Sequence, residues 1–531
     1  MLGFPSTYSI GITSLGYQVI WSTLAKRSDV DVRRIFTDQK DNSHKNCDLF
    51  GLSLSWELDG PILLDLLEKQ GIPLWNNQRQ ENDPLVFGGG PVLTANPEPL
   101  APFLDVVLLG DGENLLPTFI NAVKEFQDLP RKEKLQNLAQ IPGVYIPELY
   151  VPQYTDNGKL KAITPVNNKI PNTIIKQTWK QNTLSHSSVI TPDAAWPNIY
   201  MVETVRSCPE LCRFCLASYL TLPFRTASLE DGLIPAIEKG LMATQRIGLL
   251  GASVTQHPQF SELLTWLSQD RFDDIRLSIS SVRAGTVNGE MTKILSNRAC
   301  KSITIAIESG SERMRKVVNK KLTEEEIFMA AKYALEGGLK NLKLYGMVGL
   351  PTEEIEDVEA TADLLLRLKR KTPGLRLTLG VSTFVPKAHT PFQWYGVRKE
   401  ADKRLKLLAK KLKPNGINFR PESYGWSVIQ ALISRSDRRL APVIALVRGS
   451  QNTLGGWKKA YKSISENDHY KLNDNTNNMA MLPSWDEVIH EDWDFSKALP
   501  WEHLQGAIKP ELLMQHHQQS IDEASAMNPK T

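Results

Sequence analysis

Short apolar runs alternate with helical patterns over the first 125 residues of the chain. Strand patterns lie at residues 48–54, 85–87 and 105–109, and a helical pattern lies at residues 62–69. Strands that alternate with helices predict a parallel sheet whose connections cross over its faces. Ligands of such sheets bind at the carboxyl ends of the strands. Two glycine-containing turns, at residues 88–91 and 110–113, fall at such ends.

The alternation returns with more regularity between residues 198 and 385. Helical patterns separate six strand patterns, and the clearest of them cover residues 324–335 and 355–368. The strand patterns lie at residues 199–205, 246–250, 275–279, 303–307, 342–347 and 377–384. Six strand–helix units predict a partial or complete barrel, whose active site lies at the carboxyl ends of the strands. Residues that directly follow each strand are therefore the candidate functional residues.

The segments around this barrel are less regular. Residues 126–197 are interpreted as a linker with some strands, and residues 386–531 as a more helical region. The latter holds half of the twelve tryptophans, which we interpret as packing for a helical cap. A basic run at residues 398–413 has Leu405, Leu408 and Leu412 at helical spacing. It predicts an amphipathic helix with a solvated basic face, and contact with RNA or an acidic protein is the alternative.

Composition narrows the class of protein but not its function. The chain has 531 residues, of which 41% are apolar and 23% charged, which excludes a disordered or fibrous chain. The net charge of +3 gives no general reason to expect nucleic acid, a membrane surface or an acidic partner. No segment has a continuous apolar run long enough to span a bilayer. We expect a cytoplasmic protein with reduced thiols.

Three of the five cysteines lie within eight residues of one another. Cys208, Cys212 and Cys215 have C-x3-C-x2-C spacing just after the first barrel strand. Three thiolates on one loop can bind three irons of a [4Fe–4S] cluster and leave the fourth iron open. Zinc would need a fourth ligand, and the nearest histidines, His186 and His257, are distant in sequence. A redox disulfide would use C-x-x-C without a third cysteine.

The cysteine spacing and the segments after it resemble the radical SAM superfamily. In that family the aromatic residue before the last cysteine, here Phe214, contacts the adenine of S-adenosylmethionine (SAM) through its backbone. A glycine turn after the second strand usually holds the methionine amino group, and here it is Gly251, Ala252 and Ser253, without the usual acidic residue.

Three later residues or pairs also stand where the family binds SAM. Ser280 follows the third strand, Glu308 begins a polar stretch that resembles the sugar-binding one, and Gly349 and Leu350 resemble the apolar segment that supports adenine. We predict that Glu308 binds SAM; the alternative is a salt bridge at the barrel rim with Arg283 or Arg313.

The resemblance implies a mechanism and its participants. The open iron would chelate the methionine moiety of SAM. One electron from the cluster would then cleave the sulfonium bond to give a 5′-deoxyadenosyl radical inside a closed barrel. An unidentified substrate and an electron donor such as flavodoxin or ferredoxin would take part. The protein would supply binding, orientation and exclusion of water.

The N-terminal pattern resembles the cobalamin-binding domains that precede the barrel in one class of radical SAM enzymes. The similar segments lie at residues 88–91, 95–101 and 109–113, with further ones at 382–387, 389–394 and 437–440. The resemblance implies an α/β protein: a Rossmann-like B12-binding-type domain, a partial (β/α)6 radical SAM barrel and a mainly helical C-terminal region. The expected boundaries are residues 1–125, a linker at 126–197, the barrel at 198–385 and the C-terminal region at 386–531.

Two departures from that class affect the cofactor expected there. Cobalamin domains that replace the lower base use D-x-H-x-x-G, whereas the one histidine before residue 125, His44, has its aspartate at another offset and no glycine after it. Any cobalamin is therefore expected to lack a histidine ligand, unless the domain is vestigial. Residues 1–5 stand where a complete first strand is expected, so either the strand is clipped or the true start lies upstream.

Three functions are compatible with these features. The first is a radical SAM enzyme, with cobalamin-assisted methylation of an unknown substrate as its more specific form. The second is a methylthiotransferase-like enzyme for RNA or a ribosomal protein, but that class has three N-terminal cysteines and this chain has only Cys47 there. The third is a non-catalytic iron–sulfur protein, against which the SAM-binding segments argue.

Overall fold

A computed structural model describes residues 1–39, 47–466 and 481–526 of the protein. An N-terminal α/β sheet, a curved array of parallel strands and a largely helical tail follow one another along the chain. This order confirms the α/β fold and the helical C-terminal region that the sequence predicts. His44, the residue considered above as a cobalt ligand, lies outside the described residues.

The N-terminal sheet has six strands, of which the first five are parallel and the last is antiparallel to its neighbour. The strands are β1 (Leu2–Gly3), β2 (Arg34–Ile35), β3 (Leu49–Ser53), β4 (Leu85–Gly89), β5 (Val106–Leu108) and β6 (Val144–Tyr145). Their order is β2-β1-β3-β4-β5-β6. The helices are α1 (Tyr8–Gly11), α2 (Leu15–Ala25), α3 (Gly60–Lys69), α4 (Pro91–Ala95), α5 (Gly112–Glu125) and α6 (Arg131–Leu138). The two-residue β1 lies inside the sheet and pairs with both β2 and β3.

Three short strands connect this sheet to the barrel. They are β7 (Tyr150–Tyr154), β8 (Leu160–Pro165) and β9 (Ile174–Ile175). The first two form an antiparallel hairpin. The division of the chain at residues 125, 197 and 385 stays a prediction.

The barrel region consists of two four-stranded sheets that together form one arc. The strands are β10 (Tyr200–Arg206), β11 (Arg225–Thr226), β12 (Arg246–Gly251), β13 (Arg276–Ile279), β14 (Ser302–Glu308), β15 (Asn341–Val348), β16 (Arg376–Thr383) and β17 (Asn418–Pro421). The helices are α7 (Leu216–Leu220), α8 (Ile234–Leu241), α9 (Phe260–Leu267), α10 (Gly289–Asn297), α11 (Glu312–Val317), α12 (Glu324–Glu336), α13 (Ile355–Lys371) and α14 (Ala401–Leu412).

The arc is an open barrel. One sheet has the order β11-β10-β12-β13 and the other β14-β15-β16-β17, and all neighbours are parallel except β11. A parallel bridge between Val282 and Ile305 joins them. No pairing among the described residues closes β11 onto β17. The six predicted strands are β10 and β12–β16, so the partial (β/α)6 arrangement is confirmed.

Alternation along the strands gives the arc an apolar outer face and a polar inner one. In β14, Ile303, Ile305 and Ile307 are fully buried in the core that also contains residues of α12 and α13. Thr304 and Ala306 point to the opposite face, because successive side chains of a strand alternate. The strand therefore delivers its last residue, Glu308, to the carboxyl edge of the arc.

The tail packs around the other two parts as a helical cap. Its elements are α15 (Tyr424–Arg435), α16 (Ala441–Leu446), α17 (Leu454–Glu466), α18 (Trp485–Ile489), β18 (Leu504–Gln505) and α19 (Pro510–Ala526). Strand β18 pairs with β9. Trp394, Trp457 and Trp501 are each at most 2% exposed, which agrees with the interpretation of the tryptophans as packing residues.

The basic run before the tail forms α14, an amphipathic helix as predicted. Leu405, Leu408 and Leu412 are buried in the barrel core. Basic side chains of this helix pair with acids of the barrel, namely Arg404 with Glu353 and Lys411 with Glu359. Carboxylates of the same chain thus neutralise part of the basic face, and this favours a structural role of the helix over contact with nucleic acid.

A buried ion pair joins the N-terminal domain to the tail. Glu98, which is fully buried, accepts hydrogen bonds from Arg438 Nε at 2.7 Å and from the Tyr145 hydroxyl at 2.5 Å. Asn96 donates to the carbonyls of Ser434 and Ser436 in the same interface. These contacts explain two of the segments, at residues 95–101 and 437–440, that the sequence singles out.

Replacing Arg438 by methionine is expected to lower the free energy of unfolding by about 3–5 kcal/mol, because the Glu98 carboxylate would stay buried without its partner. The measurement is urea unfolding followed by tryptophan fluorescence. Lys399→Met is the control, since Lys399 and its partner Asp486 are both more than half exposed and such pairs contribute about 0–1 kcal/mol. Equal losses in both variants would contradict this assignment.

Candidate functional site

The three clustered cysteines occupy one tight loop at the carboxyl end of β10. Cys212 is 6% exposed, and the backbone N–H of Cys215 donates to the carbonyl of Cys212 at 2.9 Å. Ser207 and Leu211 both have left-handed backbone conformations, with φ of 71° and 53°. Non-glycine residues in that region cost about 1–3 kcal/mol each and cluster at functional sites. The loop is therefore held in a strained conformation that presents the thiols together.

The three thiols lie close enough to influence one another electrostatically. Burial raises the pKa of Cys212 to about 12; the nearby Lys320 opposes this rise, and Cys215 and Cys208 add to it. Burial also raises the pKa of Cys215. Among the described residues, no group of three or more His, Cys, Asp or Glu side chains is arranged to hold one metal ion. In a [4Fe–4S] cluster each thiolate binds a different iron, so this donor set fits a cluster better than a single zinc ion.

Side chains from distant parts of the chain brace the loop. Arg213, which is 3% exposed, donates from Nη1 to the carbonyl of Val317 at 2.7 Å and to Glu523 Oε2 of α19 at 2.5 Å. Asn319 donates from Nδ2 to the carbonyl of Leu211 at 2.9 Å. The end of α11 and the last described helix therefore fix the cysteine loop together.

Glu308 lies close to the thiols and forms an ion pair that the sequence did not predict. Its φ is 62°, it is 8% exposed, and Oε1 lies 2.9 Å from Lys320 Nζ. Burial lowers the pKa of Lys320, but the negative charges of Glu308 and Cys212 outweigh this effect and raise it. The pair therefore places one carboxylate and one ammonium group beside the cysteine loop.

The rim salt bridge considered as the alternative for Glu308 is not formed with either arginine proposed for it. Arg283 pairs with Glu210 at 2.9 Å, and Arg313 pairs with Asp357. Sequence reasoning missed Lys320, which stands twelve residues after Glu308 in an otherwise unremarkable pair of lysines. The chain between Glu308 and Lys320 forms the short helix α11, and this fold places the two charged side chains next to each other.

The turn after β12 lies beside the first cysteine. The hydroxyl of Ser253 and the amide oxygen of Gln256 are 2.5 Å apart, and Cys208 Sγ lies 3.9 Å from the same oxygen. A Cβ atom at Gly251 would lie 2.8 Å from the carbonyl of Val205, so the turn needs glycine there. Ala252 lies between these two residues. Gln256, which sequence reasoning did not select, is thus a further candidate site residue.

The remaining predicted residues lie in three settings. Ser280 donates from Oγ to the carbonyl of Gly251 at 3.0 Å, which joins the ends of β12 and β13. Phe214 and Leu350 belong to one apolar cluster at the end of the barrel. Gly349 has a φ of 73° and donates its N–H to Glu353 at 2.7 Å. Burial raises the pKa of Glu353 to about 7.

An acidic turn of the N-terminal domain contacts the start of the cysteine loop. Asp111 and Glu113 lie after β5, and both pair with Arg206, at 3.2 and 2.7 Å. Although burial raises the pKa of Asp111, Arg206 and Arg225 hold it below its usual range. A Cβ at Gly110 would lie 2.1 Å from the carbonyl of Gln177, so this glycine serves close backbone packing.

An α/β domain followed by an open parallel barrel, with three cysteines after the first barrel strand, defines a class: the radical SAM proteins. The family "Radical SAM proteins, N-terminal" matches residues 19–147, and "Radical SAM superfamily" matches residues 202–365. Together these matches cover more than half of the chain. The chain therefore carries the N-terminal and core domains of the radical SAM superfamily, and these domains imply a [4Fe–4S] cluster and SAM as cofactors.

Similar proteins extend this finding without assigning a reaction. The uncharacterized protein MJ0966 of Methanocaldococcus jannaschii is 28% identical over 86% of this chain and 93% of its own length. The uncharacterized methyltransferase PH0819 of Pyrococcus horikoshii is 26% identical, and the match spans 53% of this chain but only 58% of that protein.

A solved structure shares the fold over most of the chain. It is the radical SAM methyltransferase TsrM from Kitasatospora setae with cobalamin and a [4Fe–4S] cluster bound, which is 14% identical with a TM-score of 0.55. The match covers 87% of this chain and 97% of TsrM.

No helix in the described part of the chain is long and apolar enough to cross a membrane.

Proposed function

We propose that the protein is a radical SAM enzyme whose cluster is held by Cys208, Cys212 and Cys215. The observation that carries the proposal is the strained loop with three thiols beside the Glu308–Lys320 pair. When bound, a [4Fe–4S] cluster with an open iron supplies the electron that cleaves the sulfonium bond of SAM. The chain's own contribution is to bind and orient SAM and to exclude water.

The charges and the apolar cluster around the loop are complementary to SAM. The carboxylate of Glu308 would accept hydrogen bonds from the methionine ammonium or the ribose hydroxyls, and Lys320 would pair with the methionine carboxylate. Phe214 and Leu350 would lie beside the adenine, since they share one apolar cluster. Ser280 and the turn at residues 251–253 would hold the remaining polar groups.

We further propose that the reaction is a methylation assisted by cobalamin, which would carry the methyl group. The likeness in fold to TsrM and the similarity to PH0819, an uncharacterized methyltransferase, support this more specific reaction. At the carboxyl end of β3, Trp56 is 46% exposed, and the adjacent Glu57 pairs with Lys387, four residues beyond β16. The exposed aromatic face fits a flat, largely apolar macrocycle where the carboxyl edges of the two domains meet.

The test is anaerobic reconstitution with iron, sulfide and SAM, with and without added cobalamin. Reduced flavodoxin or ferredoxin would serve as the electron donor, and dithionite as its chemical substitute. Release of 5′-deoxyadenosine would support the radical SAM activity, and S-adenosylhomocysteine formed only with bound corrinoid would support methylation. A protein that binds neither iron nor SAM would contradict the proposal.

Any corrinoid bound to this chain is expected to lack a histidine ligand, because the D-x-H-x-x-G pattern is absent. Protein labelled with 15N-histidine would be loaded with cobalamin and reduced to the cob(II)alamin form. Its electron paramagnetic resonance spectrum should match that of unlabelled protein. A change in nitrogen hyperfine splitting on labelling would refute this prediction.

A further inference from the structure

The inner face of the open barrel borders a cavity that the proposed SAM site does not explain. The cavity has a volume of about 430 Å³ and extends from Glu308 along β15, β16 and β17. Lys343, Tyr345 and Met347 line it from β15, and Thr378 and Ser382 line it from the paired strand. A volume of this size suits a small molecule rather than a folded macromolecule.

Four cationic side chains occupy this inner face. Lys343 and Arg420 line the cavity itself. Arg246 and Arg276 are paired in register as the first residues of β12 and β13. The proximity of Arg276 lowers the pKa of Arg246 further than burial alone does. Both Arg276 and Lys343 lower the pKa of the half-buried Cys300 thiol, against the rise that burial causes, so both cations lie within electrostatic range of Cys300.

No described carboxylate forms an ion pair with any of these four cations. Arg246 donates from Nη1 to the carbonyl of Pro197, and its buried Nε has no partner. The acids on the cavity wall are Glu308, which is paired with Lys320, and the exposed Glu422. Unpaired charges of one sign on a concave surface attract a ligand of the opposite sign.

The position of these cations also relates them to the reaction centre. Met347 lies near the carboxyl end of β15, and Lys343 stands four residues before it, toward the amino end of the strand. At the rise of a strand this separates the two residues by roughly 13 Å along the barrel. A ligand held by Lys343 would therefore reach the SAM site with its opposite end. Tyr345, which is 49% exposed between them, offers an aromatic face to the middle of such a ligand.

We propose that this inner face binds the phosphate group of the substrate, so that the enzyme acts on a small phosphorylated molecule. The inference rests on the proposed radical SAM function and specifies its substrate class. Lys343 and Arg420 contact the phosphate, because ammonium and guanidinium groups form charge-assisted hydrogen bonds with phosphate oxygens. Arg246 and Arg276 add attraction from the neighbouring sheet.

Isothermal titration of the full, cluster-loaded chain with inorganic pyrophosphate tests the proposal. Lys343→Met and Arg420→Met are each expected to weaken binding by about ten- to a hundredfold, which corresponds to one lost charged hydrogen bond. Glu422→Gln is expected to tighten binding severalfold, because it removes a carboxylate from the same cavity. Lys410→Met, on the exposed face of α14, should change nothing and serves as the matched control.

The outcomes separate this inference from the function on which it rests. Iron content and SAM affinity are measured on the same samples. If both are normal and pyrophosphate does not bind, or binds all variants equally, the phosphate site is refuted and the radical SAM function stands. If the protein holds no iron, the proposed function itself fails. Tight binding of a stem–loop RNA that pyrophosphate cannot displace would refute a small-molecule substrate.

Discussion

Alanine at Cys208, Cys212 or Cys215 is expected to abolish the iron–sulfur cluster and with it all cleavage of SAM. Each thiolate holds a separate iron in the proposed site, so two remaining ligands cannot retain the cluster. Iron and sulfide analysis, the absorbance near 400 nm and 5′-deoxyadenosine release would be measured on anaerobically purified protein.

Cys300→Ala is the control for these three variants, because Cys300 lies at the start of β14, away from the loop. It should retain full iron content. Stoichiometric zinc without iron in the parent protein would contradict the cluster assignment. So would full iron content in any of the three loop variants.

Glu308→Gln is expected to weaken SAM binding by about ten- to a hundredfold while leaving the cluster intact. Glutamine keeps the size of the side chain but removes the charge, and a hydrogen bond to a charged group contributes about 1.5–3 kcal/mol. In the Glu308→Gln variant, Lys320 would also lose its carboxylate partner. Because Lys320 is proposed to pair with the methionine carboxylate of SAM, Lys320→Met is expected to weaken SAM binding as well.

The measurement is equilibrium binding of SAM to cluster-loaded protein. Glu312→Gln provides a matched control four residues away, because the side chain of Glu312 is 69% exposed and pairs with Lys316 of its own helix. An affinity in Glu308→Gln equal to that of the parent would limit Glu308 to its ion pair with Lys320.

The sequence predicts the barrel strands well because their signal is local. Strand β14 was expected at residues 303–307 and forms at Ser302–Glu308, since Ile303, Ile305 and Ile307 alternate with small or polar residues. The cysteine loop is equally local, with three ligands inside eight residues. The predicted amphipathic helix at residues 398–413 forms as α14 for the same reason.

Contacts that depend on tertiary structure could not be predicted in this way. Glu98 and Arg438 are 340 residues apart, so the sequence marks both segments without showing that they pair. The sequence offers Arg283 and Arg313 as partners of Glu308, but in the structure they pair with Glu210 and Asp357. The sequence alone does not indicate which acidic side chain forms a salt bridge with a given arginine.

The brace between Arg213 and Glu523 sets an order of events during synthesis. The cysteine loop leaves the ribosome some three hundred residues before the helix that fixes it. Until α19 emerges, Arg213 lacks its carboxylate partner and the loop has one face uncovered. In the proposed enzyme, delivery of iron and sulfide to the loop would therefore follow the synthesis and docking of α19.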